Sequence, residues 1–119
     1  MYIASQEGHT AALKLLLENG GDVNQAVNDG RTPVFIASIK GHTVALKLLL
    51  ENGGDVNQAN NNGCTPVYIA SQEGHTAALK VLLENGGDAN QAMNDGTTPM
   101  WIASQEGHTA SSFSRTAGT

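Results

Sequence analysis

Apolar residues along this chain fall into two alternating kinds of run, separated by polar, glycine-rich spacers. In one run Val34, Ile36 and Ala37 follow Thr32-Pro33, and the run closes at Gly41. A threonine there caps free amides, and a proline at the first helical position loses no needed N–H. A glycine at the far end suits a left-handed stop. The spacing predicts a short helix through about Lys40. In the next run Ala45, Leu46, Leu49 and Leu50 fall at i, i+1, i+4 and i+5, with Lys47 on the opposite face. That is one side of a helix with 3.6 residues per turn. It predicts a second helix from about Thr43 to Glu51, stopped by Gly53 and Gly54. Val56 is then a lone apolar anchor in a polar loop. Asp29-Gly30 and Asn62-Gly63 are turn dipeptides suited to positive φ at both residues, and so to tight hairpin tips. Each unit reads as helix, turn, helix and extended finger.

The whole pattern recurs every 33 residues. Residues 1–29, 34–62 and 67–95 align without a gap, residues 100–110 begin a fourth copy, and the joints read GRTP, GCTP and GTTP. A fixed period of roughly 20–50 residues marks a stacked repeat protein, whose units bury their apolar faces only against neighbours. The expected array spans 1–110, with partial repeat 1–29, full repeats 30–62 and 63–95, and partial repeat 96–110. Such a stack offers one long surface rather than an enclosed pocket.

The string GRTPVFIASIKGHTVALKLLLENGGDVNQA resembles the ankyrin repeat. The resemblance rests on the Thr-Pro helix start, the central Gly-His, the LLL run and the Gly-Asp-Val-Asn loop at the family's spacing, and it covers residues 1–110. Three departures stand out. Tyr2, Phe35, Tyr68 and Trp101 stand where the family usually has His. Ser5, Ser38, Ser71 and Ser104 replace the second Ala of the first helix. The loop has Gly-Gly where Gly-Ala is usual. The first two alter packing between units. The resemblance implies an all-α solenoid of helix-turn-helix units with short β-hairpin fingers. It also implies protein recognition on a concave groove lined by finger tips and first helices.

Terminal repeats in a stack normally carry a polar outer face, and these do not. The chain opens inside a first helix. After Ala110 it reads Ser111-Ser112-Phe113 where Ala78-Leu79-Lys80 stood. It therefore reads as a fragment of a longer array, and the non-repeat tail 111–119 is expected to be disordered.

Charge narrows the partner. The net charge is −5 and only six Lys and Arg occur, scattered along the chain. No basic stripe is present to attract nucleic acid or an anionic membrane. No apolar run approaches the roughly 20 residues that span a bilayer. Cys64 is the single cysteine, which excludes an internal disulfide and fits a reducing compartment such as the cytoplasm. A monomer is expected.

Several rows repeat with the period. His9, His42, His75 and His108 would sit about 8–10 Å apart, the spacing of packed helices, too far for zinc, whose ligands lie about 2.0–2.3 Å from one ion. Hydrogen bonding at the turn between helices is expected instead. Tyr2, Phe35, Tyr68 and Trp101 are expected to pack between units rather than to stack bases or a proline-rich peptide. Asp22, Asp55 and Asp88 recur with Asn24, Asn57 and Asn90, but calcium needs about 6–8 converging oxygens, so loop-internal bonds are expected. The resemblance adds that Asn24 and Asn57 match a setting hydroxylated in animal ankyrin proteins, whereas Asn90 follows Ala89 instead of Val. No nucleotide-binding glycine motif and no catalytic constellation is found; no cofactor, metal or enzymatic activity is expected.

Among nearly identical copies, the positions that differ point to a partner. One set lies on the fingers: Val27, Asn60 and Met93; then Asp29, Asn62 and Asp95; then Arg31, Cys64 and Thr97. Cys64 at that tip also reads as a tolerated variant. The other set ends the first helix, where Ile39-Lys40 stands against Gln6-Glu7, Gln72-Glu73 and Gln105-Glu106. Arg31, Ile39 and Lys40 are expected together, as a basic and apolar spot between acidic neighbours, suited to an acidic or amphipathic protein segment. The expected role is an adaptor or scaffold module. The rival roles are the regulatory domain of a larger enzyme or channel, and an architectural spacer without a ligand.

Overall fold

The computed structural model describes residues 1–107. His108 and the tail 111–119 lie outside the described residues. Among the described residues seven helices follow in order: α1 Tyr2–Glu7, α2 Thr10–Glu18, α3 Pro33–Lys40, α4 Thr43–Glu51, α5 Pro66–Glu73, α6 Thr76–Glu84 and α7 Pro99–Glu106. The two helices of the second unit match the ranges that the apolar spacing predicts.

Their ends follow from local chemistry. The Thr32, Thr65 and Thr98 hydroxyls accept from the backbone N–H of Phe35, Tyr68 and Trp101 at 3.2, 3.1 and 3.2 Å, capping the first turn. Gly41 closes α3 with φ 71°, and its N–H donates to Ser38 O. The serines inside the first helices are satisfied by their own helix. Ser38 Oγ donates to Val34 O at 2.8 Å and Ser71 Oγ to Val67 O at 2.8 Å. A polar side chain is thereby buried without an orphaned hydroxyl.

Helices α1, α3, α5 and α7 pack side by side in one layer; α2, α4 and α6 form a second layer against it. Two apolar clusters result. The larger lies between the layers and contains Leu13, Val34, Ala37, Leu46, Leu49, Val67, Ala70 and Leu82. The smaller is built from first helices and fingers: Phe35, Tyr68, Ile69 and Ile102 with Cys64. The core therefore runs the length of a body measuring 49 × 26 × 23 Å.

The fingers differ from the expectation. Among the described residues no β-strand forms. Each tip is a turn closed by two backbone bonds: Gly30 N–H donates to Val27 O and Val27 N–H to Arg31 O, both at 2.9 Å. The bonds recur at Asn60, Gly63 and Cys64, and at Met93, Gly96 and Thr97. Among the described residues positive φ occurs only at glycine, with Gly30 at 89° and Gly63 at 82°; Asp29 and Asn62 do not adopt it. One left-handed glycine after a type I turn is sufficient for this three-residue loop. Successive fingers share one backbone bond each, Asn61 N–H to Asp29 O and Asn94 N–H to Asn62 O, both 2.9 Å. That is too few for a ladder.

Candidate functional site

The surface singled out by sequence variation is carried by the fingers and the first helices, over the smaller cluster. Ile39 and Met93 are partly covered and rest on that cluster. Lys40, Glu73, Asp29, Asn62, Asp95 and Gln105 are exposed, while Val27, Asn60, Gln72, Thr97 and Glu106 are half-buried.

Two expectations need correction. Cys64 is only 4% exposed and belongs to the cluster beneath the surface. Burial pushes its thiol pKa up to about 12, so at neutral pH it is neither a surface contact nor a nucleophile. Its position at the end of the turn places the side chain inward, where a small, apolar sulfur packs well. Arg31, Ile39 and Lys40 are not one spot either. Arg31 precedes α3 and Lys40 ends it, so the two cations are separated by about 12 Å, the length of an eight-residue helix at 1.5 Å per residue.

Arg31 is held by its own finger and by the preceding unit. Its Nε lies 2.6 Å from Asp29 Oδ2, and its guanidinium carbon lies 5.8 Å from the centre of the Tyr2 ring in the preceding unit. The Arg31 guanidinium beside it holds the Asp29 carboxyl below the usual carboxylate range. Arg31 thus ties finger to neighbouring helix through a cation–π contact, and part of its charge is countered before any partner arrives. In the fourth unit Thr97 takes a different role. Its hydroxyl lies 2.9 Å from Tyr68 Oη and donates to Asp95 Oδ1 at 2.6 Å. Hydrogen bonding from Thr97 lowers the Asp95 pKa.

A family model described as ankyrin repeats (three copies) matches residues 1–93 and 55–111. The chain belongs to the ankyrin-repeat family. Comparison with curated proteins gives no significant match. Ankyrin repeats are generally protein-interaction modules and are typically non-catalytic. Among the described residues no helix is long and apolar enough to cross a membrane, and no three or more His, Cys, Asp or Glu side chains converge to hold a metal ion.

The periodic rows hold the ankyrin stack together. His42 Nε2 donates to Gln6 O at 2.9 Å, and His75 Nε2 to Ile39 O at 3.1 Å; the carbonyl can only accept, which sets the tautomer. These bonds run to the preceding unit's first helix. The imidazoles also cover glycines: a Cβ on Gly41 would meet His75 Nδ1 at 2.8 Å. Phe35 and Tyr68 are buried between units, 2% and 3% exposed, whereas Trp101 is half exposed.

The loop amides bridge units too. Asn24 Oδ1 accepts from Asp55 N–H at 2.8 Å and Asn24 Nδ2 donates to Gly53 O at 3.2 Å. Asn57 repeats this with Asp88 and Gly86. Both amides proposed as modification targets are therefore committed at each end, and a modifying enzyme would have to open two hydrogen bonds to reach either. The finger amides add a row that sequence reading missed: Asn61 Nδ2 donates to Asn28 O and Asn94 Nδ2 to Asn61 O. The signal was present, because Asn28, Asn61 and Asn94 recur at the 33-residue period.

Proposed function

We propose that this ankyrin stack is a cytoplasmic adaptor or scaffold module. It binds a protein segment along the groove between finger tips and first helices. The observation that supports this reading is that Ile39 and Met93 each pack on the smaller apolar cluster. They lie partly covered over a buried aromatic and aliphatic cluster, and Lys40, Glu73 and Asp95, on the same first-helix ends and fingers, are exposed. An apolar centre with a polar rim is the usual anatomy of a recognition surface. The bound segment is amphipathic, with apolar side chains on Ile39 and Met93 and an acidic group facing Lys40. Arg31, already paired with Asp29, contributes less than Lys40. Recognition proceeds by shape and charge, without chemistry, and the stack acts as a monomer.

A crosslinking pull-down with wild type and an Arg31→Glu, Lys40→Glu variant tests this. The variant should lose at least about tenfold in affinity, roughly 1.4 kcal/mol, while its helical circular dichroism stays unchanged. Undiminished capture of the same partner would move the site elsewhere.

A further inference from the structure

Four Asn-Gly pairs occur in this chain: Asn19-Gly20, Asn52-Gly53, Asn62-Gly63 and Asn85-Gly86. This dipeptide is open to self-cleavage of the side-chain amide, because glycine leaves its backbone nitrogen unshielded. The four pairs are held differently. Asn19, Asn52 and Asn85 follow the second helices, and their Nδ2 groups donate to Leu15 O, Leu48 O and Val81 O at 2.7, 2.8 and 2.8 Å. Each amide is fastened to the helix end. Asn62 sits on an exposed finger tip. Its backbone N–H donates to Asn60 Oδ1 at 2.9 Å, while its side chain makes no hydrogen bond. The Asn60 amide does the work in this turn that the tip carboxylate does elsewhere: its Oδ1 also accepts from Cys64 N–H at 3.0 Å, as Asp29 Oδ1 and Asp95 Oδ1 accept from Arg31 and Thr97 N–H.

We infer that Asn62 is the deamidation site of this chain. The Gly63 nitrogen attacks Asn62 Cγ, forming a new C–N bond. The Cγ–Nδ2 bond breaks, and ammonia leaves with the proton from Gly63. Water then opens the resulting five-membered imide at either carbonyl, giving aspartate or isoaspartate. One water is consumed and one ammonia released, with no oxidant required. The Gly63 N–H donates to Asn60 O at 3.0 Å and must come free first; its counterparts Gly20, Gly53 and Gly86 are held at 3.2, 3.3 and 3.3 Å. All four pairs share that requirement, and the Gly63 bond is the shortest of them, so it is the untethered Asn62 side chain that sets this pair apart.

The aspartate product suits the fold. Asp29 and Asp95 already occupy the equivalent position in the neighbouring units, so the aspartate product repeats that residue at the third tip, and either product adds one negative charge to a chain of net charge −5. If the groove reading holds, this charge weakens an acidic partner, and conversion acts as a slow, one-way decrease in binding.

The full chain is incubated in neutral buffer made with heavy-oxygen water, digested, and mapped by mass spectrometry. The peptide holding Asn62-Gly63 should convert first, carrying one heavy oxygen. Its rate should be roughly fivefold above that at Asn19, Asn52 or Asn85, the kinetic equivalent of one ordinary hydrogen bond. An Asn62→Gln variant should lose that conversion and keep its helical signal. Faster conversion at Asn52, or none at Asn62, overturns the inference. Binding is read separately, with Asn62→Asp. An unchanged affinity there would count against the groove and its acidic partner while leaving the mass result standing.

Discussion

Helices α2 and α4 carry the same sequence except at one position, TAALKLLLE against TVALKLLLE, yet they occupy different environments. Leu49 is fully buried and its equivalent Leu16 is 40% exposed. Among the first helices, Ile36 is 3% exposed and Ile3 66%. The α3–α4 pair has a unit on either side, α1–α2 below and α5–α6 above, whereas the described neighbour of α1–α2 lies on one side only. In this fold a residue's burial belongs to the interface between units rather than to its own unit. Identical sequence therefore does not imply equal contribution to stability.

The largest effect that sharpens this contrast comes from leucine truncation. Leu49→Ala should destabilise by about 3 kcal/mol and Leu16→Ala by about 1 kcal/mol, since only the first leaves a sealed cavity. Urea unfolding of the two variants reads the difference, and equal shifts of midpoint would break the comparison. The next effect is at glycine. Gly41 and Gly53 both have positive φ, but a Cβ meets the His75 ring at the first and nothing within 4 Å at the second. Gly53→Ala should cost about 1 kcal/mol from backbone strain alone. Gly41→Ala should cost about 2 kcal/mol or more, because it also displaces the imidazole from Ile39 O. Thermal melts of both variants check the order.

A smaller change is expected at the loop amides. Asn57→Ala removes two bonds to the next unit and should cost about 1–2 kcal/mol. Hydrogen exchange near Asp88 should quicken, and no change there would deny the bridge its role. The mildest prediction concerns Cys64. Its pKa is raised, so the folded form opposes the thiolate. The stability this contributes is intact below the ordinary thiol value of 9.0 and is lost as pH rises from there toward about 12. At neutral pH a thiol reagent should label Cys64 only as the chain opens. Rapid labelling of the native protein would place the sulfur at the surface.

Much of this was legible in the sequence because each unit states its own helix ends. Thr32-Pro33, Gly41 and the leucine spacing act within a few residues, and they locate α3 and α4. The fingers were misread because Asp29-Gly30 suggests two residues of positive φ, while the turn needs only Gly30. The site was less legible. Whether Cys64 points in or out is decided by Phe35, Tyr68 and Ile102 in three different helices, which no local pattern reveals. The separation of Arg31 from Lys40 could have been found from helix rise alone. The contact of Arg31 with the Tyr2 ring depends on the stacking offset between units.

Native-state hydrogen exchange across the LLL segments of α2 and α4 tests the central claim most directly, since both helices report from one molecule under one condition. A stack held by its interfaces should show clearly slower exchange for the Leu49 and Leu50 amides than for Leu16 and Leu17. Equal protection in the two helices would mean that each unit is stable by itself, and would contradict a stack held together by its interfaces.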